Sequence, residues 1–192
     1  MPVPATAVSI RPATAEDAAA VNEIFNYYVV NSTCAFRERP MTLEERLTYL
    51  SEHDEAHPVV IAEEDGVPVG WSALSAHRNR CVYPKTVEDS VYVRHDRRGR
   101  GVGRAMLAHL LERAPALGHH TVLALIEPNQ EASLALHAKM GFVEAGRLRE
   151  VGFKFGRWLD LIYMQRMLGM ERLYSHERPH DTAPSADKAV VG

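Results

Sequence analysis

The segment Arg98-Gly99-Arg100-Gly101-Val102-Gly103 is the part of this sequence whose residue types and spacing fit a chemical task most clearly. It follows a β-branched and aromatic run, Val91-Tyr92-Val93, and precedes an apolar pattern of helical period. A helix N-terminus carries unpaired N–H groups and the positive end of the helix dipole. Glycines, lacking Cβ, let an anion approach those groups closely. Arg98, Arg100 and Arg104 add positive charge at the same place. Together these residues make a recipe for holding a pyrophosphate. They also read as a tight solvated turn bearing surface arginines, because glycine turns before helices are common. No G-x-x-x-x-G-K-[ST] occurs, which excludes the ordinary nucleotide P-loop. The spacing G-x-G-x-G also departs from the G-x-G-x-x-G of dinucleotide folds.

The elements that would position this segment read as a mixed α+β order. Ala7 to Ala13 suggests a short first strand, stopped by Pro12. Thr14 and Asp17 then form a capping box ahead of a helix with Val21, Ile24, Phe25 and Tyr28 on one face. Thr42 and Glu45 repeat the device, with Leu43, Leu47 and Leu50 as the expected apolar stripe. Two β-rich runs flank Asp65-Gly66, a hairpin signal. The strand 89–93 leads into the glycine segment and a helix from Val102 to Ala114, stopped by Pro115 and Gly118. A continuous apolar strand follows at 120–126, then a helix ended by Gly141. Two final strands, 142–149 and 157–168, are expected to be joined by a linker at 150–156. We read residues 1–168 as one domain and the aperiodic, polar 169–192 as a tail.

Bulk properties exclude several classes. The chain has 192 residues, and its net charge of −3 gives no global field for nucleic acid or anionic membrane, so the arginine cluster calls for a local cause. Cys34 and Cys81 fit neither a disulfide framework nor a zinc site. The first twelve residues lack a basic then apolar leader pattern, and no apolar run approaches a membrane span. A reduced, cytoplasmic setting is expected. His53 and His57 lie four apart but lack a third ligand, so no metal is expected. His119-His120 reads as a solvated turn, and the cysteines as small hydrophobes.

The order strand, R-x-x-G-x-G, helix, buried strand, Asn129, helix, Gly141-Phe142 resembles the GNAT acetyltransferase superfamily over nearly the whole chain. The phrases TVEDSVYVRHDRRGRGVG, LHAKMGF and GFKFGRWLDLIYMQ are similar to phosphinothricin acetyltransferases and to methionine sulfoximine/sulfone acetyltransferases. The resemblance implies a mixed central sheet flanked by helices, with acetyl-CoA bound where the central strands splay. It implies direct transfer of an acetyl group to the α-amine of a small amino acid or analogue, without metal, in a homodimer.

Residue by residue, it implies the following. The strand Val91-Tyr92-Val93 and the loop Arg98, Gly99, Arg100, Gly101, Val102, Gly103 and Arg104 would hold acetyl-CoA, with Asn129 and Ser133 on its pantetheine arm. Glu88 matches the position of the proposed general base, since the acceptor's ammonium must lose a proton before attack. Asp89 is its neighbour, and strand alternation should turn it to the other face. Many relatives protonate the leaving thiolate with a tyrosine. His137 stands there instead, as in the phosphinothricin branch, and it could donate a proton, bind substrate or pack. Arg78, Arg80 and Tyr83 suit an acceptor carboxylate, Phe36 matches a pocket wall, and Lys154 and Trp158 are further pocket candidates. The competing readings are an acetyltransferase for protein N-termini or other amines, a non-catalytic CoA-binding module, and a nucleic-acid binder. The net charge and the absence of interleaved aromatics disfavour the last of these.

Overall fold

The computed structural model describes residues 8–78 and 82–169. The first strand, β1 (Ser9–Pro12), is followed by α1 (Ala18–Asn31) and α2 (Leu43–Ser51). Both capping boxes form. Asp17 accepts from the Thr14 backbone N–H at 2.7 Å, and Thr42 and Glu45 bond reciprocally at 3.1 and 2.8 Å. Then come β2 (Val59–Glu64), β3 (Val67–Ala76), β4 (Thr86–Val93), α3 (Val102–Arg113), β5 (Thr121–Ile126), α4 (Glu131–Lys139), β6 (Val143–Lys154) and β7 (Arg157–Met167). Asp65 and Gly66 both take positive φ in the β2–β3 turn, which suits the right-handed twist of a two-residue hairpin. No helix among the described residues is long and apolar enough to cross a membrane.

The described strands form one sheet in the order β1-β2-β3-β4-β5-β7-β6. All neighbours are antiparallel except β4 and β5. Helices cover both faces. On one face Val21, Ile24 and Tyr28 of α1 pack with Ile61, Trp71 and Ala73 of the sheet. On the other, Leu107, Leu110 and Leu111 of α3 pack with Val87, Val122 and Ala124. Covering both faces buries most of β3, while β4 beyond Val87 stays half-buried where it borders the site.

Three local expectations are corrected. Leu43 and Leu47 are 50% and 40% exposed, and Arg46 is the buried residue of α2 at 1%. Its guanidinium carbon sits 4.8, 4.9 and 5.2 Å from the ring centres of Phe25, Tyr49 and Trp71. Stacking of a weakly hydrated cation on three rings outcompetes two leucines for that space. The linker expected at 150–156 is mostly strand: β6 runs on to Lys154 through a register shift between Leu148 and Gly152. His119 is buried rather than solvated, and its Nε2–H donates to the Ala56 carbonyl at 2.6 Å.

Candidate active site

The parallel ladder between β4 and β5 lasts only from Thr86–Thr121 to Glu88–Leu123. Beyond it both strands continue unpaired with each other, so they diverge and open a cleft of about 610 Å³. Two bonds between the β3 and β4 segments fix which backbone groups face it. The His77 N–H donates to the Thr86 carbonyl at 3.2 Å, and the Arg94 N–H to the Val69 carbonyl at 2.7 Å. Antiparallel alternation then commits the backbone of Glu88, Ser90 and Tyr92 to β3. The backbone N–H and C=O groups of Asp89, Val91 and Val93 turn toward the cleft. The Val93 carbonyl agrees with this, accepting from the Tyr28 hydroxyl at 2.5 Å. Free N–H groups along a strand edge can bond an extended amide chain and stabilise a developing oxyanion.

The glycine segment closes one end of the cleft. Gly99 and Gly101 have φ of +76° and +86°, a conformation that L side chains resist, and Gly101 is the N-cap of α3. Arg98, Gly99, Gly101, Val102, Gly103 and Arg104 line the opening, whereas Arg100 does not. The N-terminus of α3 thus lies at this mouth with Arg97, Arg98 and Arg104 in its lining, and the pyrophosphate of a coenzyme fits that donor set.

Two carboxylates project from adjacent residues of β4 to opposite faces, and both line the cleft. Tyr92 packs among Trp71 and Phe25 on the α1 face, so alternation puts Ser90 and Glu88 there too. Glu88 Oε1 lies 2.5 Å from His77 Nδ1. Asp89, on the α4 face, places Oδ2 at 2.9 Å from His137 Nε2, and His137 Nδ1 lies 2.8 Å from the Ser133 carbonyl. A carbonyl only accepts, so Nδ1 carries a hydrogen. Burial works against a charged His137 ring, but the Asp89 hydrogen bond and charge and the Ser133 carbonyl outweigh it and raise its pKa above the ordinary histidine value.

The remaining candidates divide. Phe36 and Ser133 line the cleft. The Asn129 amide instead donates to Glu127 Oε1 at 2.5 Å, and Gln130 lines the cleft in its place. Buried Glu127 also accepts from Thr33 Oγ1 at 2.9 Å and Gln130 Nε2 at 3.2 Å, which ties the loop after α1 to the turn before α4. Arg78 is exposed with φ +44°, and Tyr83 stands edge-on to His77 at 5.4 Å; neither lines the cleft. Arg80 and Cys81 lie outside the described residues. Lys154 is buried, and Nζ donates to the Ser32 and Ala35 carbonyls at 2.8 and 2.7 Å. It anchors the loop that carries Cys34 and Phe36 rather than facing the cleft, and burial lowers its pKa. Trp158 is exposed on β7. Cys34, Tyr28, His77 and Gln130 had no signal in the sequence beyond proximity to better candidates. Among the described residues no cluster of metal-ligating side chains occurs.

The architecture has close counterparts among known proteins. Residues 21–142 match the model of the acetyltransferase (GNAT) family. The chain is 38% identical over 162 residues to the L-amino acid N-acyltransferase MnaT of Escherichia coli, covering 84% of this chain and 94% of that protein. It is 38% identical over 159 residues to the phosphinothricin N-acetyltransferase of Streptomyces viridochromogenes, covering 83% and 87%. A Sinorhizobium meliloti phosphinothricin acetyltransferase solved with acetyl-CoA superposes with a TM-score of 0.82 at 35% identity, over 92% of this chain and 96% of that one. A ribosomal-protein-alanine N-acetyltransferase from Brucella melitensis superposes at 0.81 with 40% identity, over 83% and 99%. The splayed strands, the glycine-arginine helix cap and these matches make the chain an acyltransferase of the GNAT family.

Proposed function

We propose that this enzyme acetylates the α-amine of a small amino acid or analogue, of the phosphinothricin or methionine sulfoximine/sulfone type, by direct transfer from acetyl-CoA with Glu88 as general base. The observation that carries the reading is the placement of Glu88 and the Asp89–His137 pair on opposite faces of β4, both in the wall of a cleft that the glycine-arginine N-terminus of α3 also lines. Relatives at 37–39% identity are named for those acceptors.

The chemistry follows from the groups present. Glu88 takes a proton from the acceptor's ammonium, breaking N–H and forming O–H. The neutral amine attacks the thioester carbon, and a cleft-facing N–H of β4 bonds the oxyanion; one such donor is worth about 100–1,000-fold. The C–S bond breaks with its electron pair going to sulfur, and the proton held between His137 and Asp89 goes to the thiolate. The attacking nitrogen gives up its second proton to the emptied His137–Asp89 pair, and Glu88 is left holding the one proton released per turnover. A homodimer, a cytoplasmic location, a catalytic domain ending near residue 168 and no nucleic-acid or membrane partner complete the reading. The exposed Val151, Phe153, Phe155 and Trp158 around the β6–β7 turn support the dimer.

The match to a ribosomal-protein-alanine acetyltransferase favours one competing acceptor, a peptide N-terminus. CoA release with L-phosphinothricin, L-methionine sulfoximine and an alanine-terminated peptide separates the two. We expect turnover on the amino-acid analogues. Turnover on the peptide alone would replace the acceptor assignment and keep the reaction.

A further inference from the structure

The reaction releases one proton per turnover. The acceptor ammonium loses two, and the thiolate takes one. If Glu88 is the base, it must be emptied before the next cycle, while the cleft beside it is filled by acceptor and coenzyme. Among the described residues, the side-chain hydrogen bond of Glu88 goes to His77 alone.

His77 directly follows β3, in register with Thr86 at the start of β4. It lies behind Glu88 as seen from the cleft: Glu88 lines the cleft and His77 does not. The His77 side chain is 10% exposed and does not line the cleft, whereas the Glu88 side chain, which does, is 33% exposed. Tyr83, on the segment before β4, packs edge-on against the ring at 5.4 Å and fixes its plane. A further titratable group on that side, beside Tyr49, which also bonds Ser75, is His53, two residues past α2. Its Nε2 bonds Ser75 Oγ, and Ser75 is the β3 residue opposite Glu88. Asp89 faces away, into its pair with His137. An imidazole can accept at one nitrogen while donating from the other, which a carboxylate, amide or hydroxyl at this place would not do through a rigid ring.

We propose that His77 is the proton exit of this enzyme: it takes from Glu88 the proton that Glu88 removes from the acceptor and passes it to solvent. The step balances. With Glu88 as the carboxylate the ring carries Nδ1–H. Once Glu88 is protonated the ring exchanges that hydrogen through water for one on Nε2. The Glu88 O–H bond breaks as a new Nδ1–H bond forms, and the imidazolium loses its Nε2 proton to water, which restores the Nδ1–H form. Glu88 is left as the carboxylate. His77 touches no reacting atom, so it acts through Glu88 as a positioning and relay residue. The proposal rests on Glu88 being the base.

The test compares His77→Asn, His77→Ala and Glu88→Gln, each first shown to bind acetyl-CoA by calorimetry. Asparagine keeps a donor near the position of Nδ1 but cannot carry a proton onward. We expect His77→Asn to lose tenfold or more in kcat, to keep its KM for acetyl-CoA, and to show a changed pH profile. We expect added imidazole to restore His77→Ala in a concentration-dependent way. Wild-type kcat and pH profile in His77→Asn, or no rescue of His77→Ala by imidazole, would overturn the relay. Wild-type activity in Glu88→Gln would instead overturn the base reading, and the relay with it. Loss in Glu88→Gln beside normal His77→Asn would overturn the relay alone.

Discussion

His137 and Asp89 form a buried pair: Nε2 stands 2.9 Å from Oδ2, with side chains 4% and 1% exposed. Because Nδ1–H is committed to the Ser133 carbonyl, the second ring nitrogen and the carboxylate share one proton. Both residues line the cleft, and in the proposed mechanism that proton goes to the leaving thiolate.

The pair makes stability depend on pH with a definite sign. The pKa of His137 is raised in the folded chain. A raised value means that the stabilisation is fully present below the unfolded histidine value, near 6.5, and is lost as pH rises through the folded value. Breaking one partner of a buried pair costs about 3–5 kcal/mol, and asparagine, which still bonds the ring, should cost less. We therefore expect Asp89→Asn to melt lower than wild type at pH 6, with the gap narrowing by pH 9. Thermal melts across that range check it, and a constant gap would contradict it.

The coenzyme loop should be sensitive to backbone conformation rather than to space. A Cβ at Gly101 would meet nothing within 4 Å, yet φ is +86°. A left-handed residue other than glycine costs about 1–2 kcal/mol. We expect Gly101→Ala to weaken acetyl-CoA binding roughly tenfold, by calorimetry. At Gly103 a Cβ would make ordinary contacts of 3.5–3.6 Å with Val93, Leu136 and Val91. Gly103→Ala should change the affinity less.

Lys154 holds from behind the loop whose Cys34 and Phe36 line the cleft, which the proposed function makes a wall of the acceptor site. Removing its ammonium leaves the Ser32 and Ala35 carbonyls without that donor. A hydrogen bond to a charged group contributes about 1.5–3 kcal/mol. We expect Lys154→Met to lose stability on that scale and to raise the acceptor KM through the Cys34–Phe36 loop. The acetyl-CoA KM should hold. Steady-state kinetics with each substrate varied in turn separates the two.

The fold was legible where the signal is local. Thr14 and Asp17, Thr42 and Glu45, and Asp65-Gly66 each specify a cap or turn within four residues, and each forms as read. The glycine segment was legible because backbone conformation demands its composition. Contacts set by sheet register were not. His77 meets Glu88 only because Ser75 pairs with Glu88 across the β3–β4 ladder, and nothing near His77 marks it out. Gln130 lines the cleft instead of Asn129 because the turn before α4 folds the Asn129 amide back on Glu127, a one-residue choice made by tertiary contacts. Arg46 took the place of an apolar stripe because three aromatic rings from separate elements surround it.

The most direct test of the central claim is the rate of CoA release by Glu88→Gln, with acetyl-CoA and an amino-acid analogue both saturating. Glutamine keeps the shape of the side chain and removes its ability to hold a proton. General-base catalysis contributes about 100–10,000-fold, so the account predicts a fall in kcat of at least a hundredfold with acetyl-CoA binding retained. A variant that turns over at the wild-type rate would contradict it.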